Sequence, residues 1–281
     1  FRDKYFFFLF CFFLSFVILF FCSKNSPLYP FNNWVDENAF YTVGISWRHG
    51  ILPYLDLFEQ KGPLLYLIFM LSSWILPYSF LPIFLLEVVC YTWFLYFSGK
   101  VITLFLEKKY VYFILPLFAS LIAGSIFFSS GGSAEEFCLP ILMKMLYDLL
   151  YYFVKGSIRK KTLFWDGFFA GVMAMIKFTF LGFPFAFMMC LFFCFLFSRE
   201  YFKSLFSCVL FLLGMSIPIL GFCLYFYFHH GLDVFINTYF IFNIFGYTKK
   251  LPLLIRIEMI FLSFYKKLTT NVIVFHLIDL G

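Results

Sequence analysis

The fold class predicted by the sequence is all-α, a polytopic transmembrane helical bundle, and three observations predict it. Hydrophobic residues make up 63% of the 281 positions and charged residues 13%, with a mean hydropathy of +0.93, outside the range of a soluble domain. Apolar runs of roughly 18 residues or more recur, the length that a hydrocarbon core of about 30 Å requires of a helix. Short charged clusters separate these runs, and in lipid, where no water pairs the backbone, such runs fold as helices. No tandem repeat or flexible linker divides the chain, so 1–281 reads as a single transmembrane domain.

The first apolar run, 5–22, follows Arg2 and Lys4 and reads as a span with its N-terminus in the cytoplasm. A cleavable signal peptide is the rival reading, but no small-residue cleavage site follows Cys22. The segment Pro63–Leu76 is bracketed by Pro63 and Pro77 and would form about 20 Å of helix, too short to cross, which makes it interfacial. Residues 23–80 then form one long external loop. The remaining spans are expected at 81–106, 110–129, 138–154, 162–176, 178–197 and 204–228, with external loops at 130–137 and 229–270. On this reading Glu107–Lys109, "KGSIRKK" at 155–161 and "SREYFK" at 198–203 all fall on the cytoplasmic side, as the positive-inside rule asks. Making Pro63–Leu76 a span would invert every later loop. Beyond His230 apolar and basic residues alternate, which suggests interfacial helices.

The net charge of +6 is explained by these topogenic clusters, and no nucleic-acid partner is expected. The eight cysteines lie within or beside apolar runs without CxxC or Cys/His spacing, so they read as small buried hydrophobes and no metal is expected. Nothing in the sequence calls for a cofactor. A start at Phe1 and an end inside an apolar segment suggest that the chain is the N-terminal part of a longer protein.

The charge in the first external loop stands out: Asp36, Glu37, Arg48, His49, Asp56, Glu59 and Lys61 fall between positions 36 and 61. In "NNWVDENAF" the plain reading is a helix start with Asn33 as cap, where first-turn carboxylates gain about 0.3–1 kcal/mol. Trp34, Phe40, Tyr41, Ile45 and Trp47 give the following helix an interfacial face. Lys61 in "FEQKGPLLY" sits on a tight turn, either snorkelling or held at headgroup depth toward a phosphate, with Arg48 in reach to assist. "GGSAEEF" sets Glu135 and Glu136 about 100° apart at a helix start, so at most one of them faces a shared cavity, and Glu136 is chosen. Lys177 marks the external turn of a hairpin as a second phosphate contact, and Glu87 is expected to be solvated. Within the bilayer, where a lone charge costs about 2.5–3.5 kcal/mol, Lys144 and Asp148 at i, i+4 are expected to pair.

In their order these pieces resemble the GT-C glycosyltransferases, in particular the protein O-mannosyltransferase and lipid A aminoarabinose transferase branch and its RgtA-like and teichoic-acid-glycosylation bacterial relatives. "VDENAFYTVG" resembles the first-loop acidic motif, "YLDLFEQKGPLLYLI" the Lys-Pro motif, and "GGSAEEFCLPILM" the second-loop acidic position, over about residues 1–200.

The resemblance implies an inverting sugar transferase that uses a polyprenyl-phosphate sugar donor at the extracytoplasmic face of the cell membrane and a glycan, lipid or protein acceptor. Asp36, with Glu37 beside it, matches the catalytic base. Lys61 matches the lysine on the donor phosphate, and Glu135 or Glu136 the second-loop acid. "EQKGP" departs from the tighter Glu-Lys-Pro of the family, which leaves Glu59 without a firm role. The competing class is a transporter or flippase of lipid-linked sugars, for which charges should line the middle of several helices.

Overall fold

The computed structural model describes residues 2–125, 128, 131–246, 255, 258, 259, 261–263 and 265. Its elements are helical: α1 (Arg2–Cys22), α2 (Val35–Arg48), α3 (Pro63–Ile75), α4 (Leu81–Phe105), α5 (Lys108–Ala123), α6 (Ala134–Lys155), α7 (Lys160–Ile176), α8 (Gly182–Phe197), α9 (Tyr201–Phe228) and α10 (Leu232–Phe235), with a 3-10 turn at Phe178–Leu181 and a π-helix at Ile236–Gly246. Among the described residues five helical stretches are long and apolar enough to cross a membrane: Lys4–Cys22, Leu81–Phe105, Ala134–Lys155, Phe178–Phe197 and Tyr201–Phe228. That makes the chain a membrane protein with an all-helical fold.

Two of the seven expected spans fall on helices too short to be counted among these five. α5 has 16 residues and α7 has 17, about 24–26 Å of helix each. α5 stops at Ala123 instead of running to 129, and residues 126, 127, 129 and 130 lie outside the described ones. α6 begins at Ala134, four residues before the expected start, and so takes Glu135 and Glu136 into its first turn. α3, with 13 residues and Pro63 in its first turn, is the short helix that its prolines announce. The loop expected over 229–270 opens with α10 and the π-helix; 247–254 and 266–270 lie outside the described residues.

Side-chain pairs fix the relative directions. Phe7 meets Tyr96 with ring centroids 5.7 Å apart while Ser23 meets Glu87, so α1 and α4 are antiparallel. Tyr91 Oη donates to the Ala119 carbonyl at 2.7 Å, which ties α5 back along α4. Lys144 bonds Asp166 and Lys177 bonds Glu135, so α7 returns along α6. α7 and α9 run parallel in backbone contact, because a Cβ on Gly167 would strike Phe211 and one on Gly171 would strike Met215. Gly167 and Gly171 form a GxxxG pair, the small-residue spacing that lets membrane helices approach closely. Ser204 Oγ donates to the Phe192 carbonyl, which brings α8 back along the start of α9.

One end of the bundle therefore gathers the C-termini of α1, α7 and α9 and the N-termini of α4 and α6. The opposite end carries Lys4, Lys108, Lys109, Lys155, Lys160, Lys161 and Lys203. Among the described residues two buried cores form. One joins α2, α3 and α6–α9; the other joins α1, α4 and α5.

Candidate functional site

The candidate site grows from the turn that carries Lys61. Its backbone is tied on both sides: Tyr54 Oη donates to the Lys61 carbonyl at 2.6 Å, Lys61 N–H donates to Tyr66 Oη at 2.9 Å, and Asn243 Nδ2 donates to the Gln60 carbonyl at 2.8 Å. Gly62 N–H donates to the Ile176 carbonyl at 3.0 Å, and a Cβ at Gly62 would strike the Met175 carbonyl. Only glycine lets the turn lie this close to the last turn of α7. Since α7 ends at Ile176, the next residue, Lys177, emerges beside Lys61.

Lys177 Nζ forms an ion pair with Glu135 at the start of α6, with side chains 27% and 43% exposed respectively. Its ammonium also lies 5.6 Å from the Phe180 ring. The Lys61 charge acts on the same Glu135 carboxylate, and Lys61 makes no salt bridge of its own among the described residues. The Glu135 carboxylate is thus paired with one ammonium and feels the charge of a second, both on partly exposed side chains, an arrangement open to an anion.

Asp36 belongs to the same end. α2 and α3 run parallel in constant register: Phe40 meets Tyr66, a Cβ at Gly44 would meet Met70, and Arg48 meets Ser73. Carried back one turn, this register sets Asp36 at about the height of Gly62 along α3. Asp36 is exposed and has no hydrogen-bond or ion-pair partner among the described residues. α2 is capped by Trp34 without a side-chain hydrogen bond, and not by Asn33, whose Oδ1 accepts from Lys24 Nζ at 2.7 Å.

Glu37, Glu87 and Glu136 lead elsewhere, into the protein. Glu37 is 0% exposed and Glu87 1%. Asn25 Nδ2 donates to Glu37 Oε1 at 2.5 Å and to Glu87 Oε1 at 2.7 Å, Ser23 Oγ donates to Glu87 Oε2 at 2.7 Å, and Asn32 Nδ2 bonds Glu37 Oε2. Gly131 and Gly132 close over this network at φ +96° and +67°, where a Cβ would strike Glu87 and Glu37 respectively. Burial pushes the Glu37 carboxyl up from its ordinary 4.5 to about 9, and the Glu87 carboxylate adds to the rise against the two asparagine amides. Glu37 is therefore a neutral acid at neutral pH, an unsuitable general base.

Glu136, chosen from the sequence to face the shared cavity, closes a capping box instead. Its N–H donates to Ser133 Oγ at 3.2 Å and its Oε2 accepts from Ser133 N–H at 3.0 Å. It is 6% exposed, and the residue that faces the two lysines is Glu135. Glu87, expected to be solvated, is instead a member of the buried network because α1 and the Asn25 loop cover it.

Arg48 stands apart. Its Nη1 donates to the Ser73 carbonyl at 2.6 Å, about 15 Å along α3 from Pro63. The unpaired carbonyls at the end of a helix attract a cation there. It rims a groove of about 580 Å³ between α2, α3 and α9, walled by Trp47, Leu67, Trp74, Pro218 and Tyr225. Glu59 Oε1 accepts from Gln60 N–H at 2.7 Å and Asp56 Oδ2 from Leu52 N–H at 2.7 Å, so both brace their own loops.

Deeper along α6, Lys144 pairs with Asp148 at 2.7 Å as expected and also with Asp166 of α7, a residue that the sequence reading missed. Asp166 is 0% exposed and its Oδ2 has no hydrogen-bond partner among the described residues. The missed signal was a lone carboxylate in an apolar helix, which demands a partner.

Among the described residues no group of histidine, cysteine or carboxylate side chains is arranged to hold a metal. Comparison with family models, curated proteins and solved structures finds no match.

Proposed function

We propose that this chain is a multi-pass membrane glycosyltransferase of GT-C type that moves a sugar from a polyprenyl-phosphate donor to a glycan, lipid or protein acceptor at the extracytoplasmic face. The observation that carries this reading is the convergence of Lys61 and Lys177 on Glu135, three residues from distant stretches of sequence, at the end of the bundle where α2 begins with the exposed Asp36. The sidedness follows from charge. Every strongly basic cluster up to Lys203 lies at the other end of the bundle, which positive-inside topology assigns to the cytoplasm.

The chemistry asks little more of the protein. Lys61 and Lys177 hold the donor phosphate and neutralise the charge that grows on it as it departs. Asp36 takes the proton of the acceptor hydroxyl. The acceptor oxygen forms its bond to the anomeric carbon as the bond from that carbon to the phosphate oxygen breaks, and the electron pair leaves with the polyprenyl phosphate. A single displacement inverts the anomeric centre, and general-base catalysis of this kind contributes about 10²–10⁴-fold. Glu135 holds Lys177 in place, so it is a positioning residue.

Asp36→Asn and Lys61→Gln variants, assayed in membranes for transfer from a polyprenyl-phosphate sugar, test the reading. Asp36→Asn loses at least about a hundred-fold in turnover. Near-normal turnover would overturn the assignment of the base. A second reading, transport of lipid-linked sugars, is favoured by Lys144 and its two aspartates deep in the bundle. It predicts that Asp166→Asn abolishes translocation of a lipid-linked sugar across proteoliposomes.

A further inference from the structure

Between the N-terminal part of α1, the C-terminal part of α4 and the start of α5 lies a cavity of about 640 Å³, at the end of the bundle opposite the candidate site. Three lysines from three helices line it: Lys4, Lys100 and Lys108. Among the described side chains no carboxylate lines it. Two acids at this end are engaged elsewhere, Glu107 with Lys109 at 2.8 Å and Asp148 with Lys144 at 2.7 Å, although the Asp148 charge reaches Lys100. Lys100 is fixed in position: its ammonium lies 5.1 Å from the Tyr96 ring centroid, 5.5 Å from Phe97 and 4.9 Å from Tyr147. An ammonium so held has little rotamer freedom left to lose when an anion arrives.

The remaining walls are apolar or amphipathic. Phe6, Phe7, Val111 and Tyr112 enclose the space, and Gly99 gives way to the Phe7 ring, which a Cβ at that position would strike. A free inorganic anion has no use for such walls, whereas a lipid needs both halves: cations for its phosphate and apolar surface for its glycerol and first methylenes. Basic pockets between helices on the cytoplasmic side are where such headgroups bind.

From this combination we infer that the cavity is a binding site for the phosphate of an anionic glycerophospholipid of the inner leaflet, held by Lys4, Lys100 and Lys108. The inference does not depend on the proposed transferase activity. Lys4 and Lys108 are exposed and grip the outer side of the headgroup, while half-buried Lys100 forms the floor.

The test uses the purified full chain in detergent, delipidated and then given phosphatidylglycerol, phosphatidylcholine, a polyprenyl phosphate or inorganic phosphate, with retention read by native mass spectrometry and stabilisation by thermal shift. Wild type retains phosphatidylglycerol at least ten-fold better than phosphatidylcholine, and millimolar inorganic phosphate does not displace it. Each lysine removed weakens retention about five-fold, so Lys4→Gln/Lys108→Gln loses roughly twenty-five-fold and the triple variant with Lys100→Gln more. The double variant alters only exposed side chains and keeps the test valid should the triple variant misfold. Lys155→Gln/Lys161→Gln, at the same end of the bundle but outside the cavity, retains the lipid as wild type does. The inference is overturned if the double variant binds as wild type, if the Lys155/Lys161 control loses as much, if inorganic phosphate stabilises as well as the lipid, or if equimolar polyprenyl phosphate displaces the phospholipid.

Discussion

Replacing Glu37 by Gln tests the claim that the acid beside the catalytic candidate is buried and neutral. The unfolded chain loses its Glu37 proton near pH 4.5, while the folded chain keeps it until about pH 9. Folded protein therefore binds the extra proton throughout that window, so this group's contribution is fully present below pH 4.5 and falls as pH rises toward 9. The fall is about 1.4 kcal/mol per pH unit, or about 3 kcal/mol between pH 6 and pH 8. Glu37→Gln ionises in neither state and removes this slope, while a side chain of the same size still fills the space among Asn25, Asn32 and Glu87. Unfolding of both proteins in one detergent, followed from pH 5 to pH 9 by intrinsic fluorescence, gives the difference directly. The variant gains on wild type by about 3 kcal/mol from pH 6 to pH 8. Parallel curves would refute the burial argument and return Glu37 to the list of ionised candidates for the base.

Three further outcomes follow from the same contacts. Gly62→Ala drives a Cβ against the Met175 carbonyl and costs about 1–3 kcal/mol, with loss of transfer activity as Lys61 is pushed away from Lys177; thermal unfolding and turnover read the two effects separately. Gly171→Leu forces α7 from α9 and lowers the yield of monodisperse protein in size-exclusion chromatography, whereas Gly221→Ala, with open space at its Cβ, leaves it unchanged. Lys144→Met strands two aspartates without their cation and destabilises by about 3–5 kcal/mol, while adding Asp148→Asn and Asp166→Asn restores most of the loss; denaturant unfolding of the single and triple variants measures both.

The helical fold was legible because its cause is local. Lipid removes every alternative for the backbone, and the length of each apolar run against the hydrocarbon core decides whether it can cross. That reasoning anticipated the five long apolar helices among the described residues and, from length and prolines alone, a short helix within Pro63–Leu76. It was less exact at ends. α6 starts four residues early because Ser133 caps it, and α5 stops short at Ala123. The GxxxG pair at Gly167 and Gly171 was open to reading from the sequence, since spacing at i, i+4 sets both glycines on one face, and it would have named the contact face of α7 in advance.

The site was legible in composition and not in orientation. Asp36, Lys61, Lys177 and the Glu135/Glu136 pair could be picked out by residue type, but which carboxylate faces the lysines depends on about 100° of helix rotation. The sequence held the answer in "SAEE": a serine followed three residues later by a glutamate is a capping box, which commits Glu136 to its own backbone and leaves Glu135 free to face out. Glu87 carried no such local sign. Whether a carboxylate near the end of an apolar helix is solvated or buried depends on what the chain lays over it, and here that cover comes from Ser23 and Asn25, more than sixty positions away. Arg48 shows the same dependence on distant partners: nearness in sequence to Lys61 suggested a shared phosphate, but α2 and α3 run parallel, so the end of one meets the end of the other and Arg48 is taken by the Ser73 carbonyl. Parallel packing is also what brings Asp36 level with Lys61. The single register that removes Arg48 from the candidate site is therefore the one that sets Asp36 at its height.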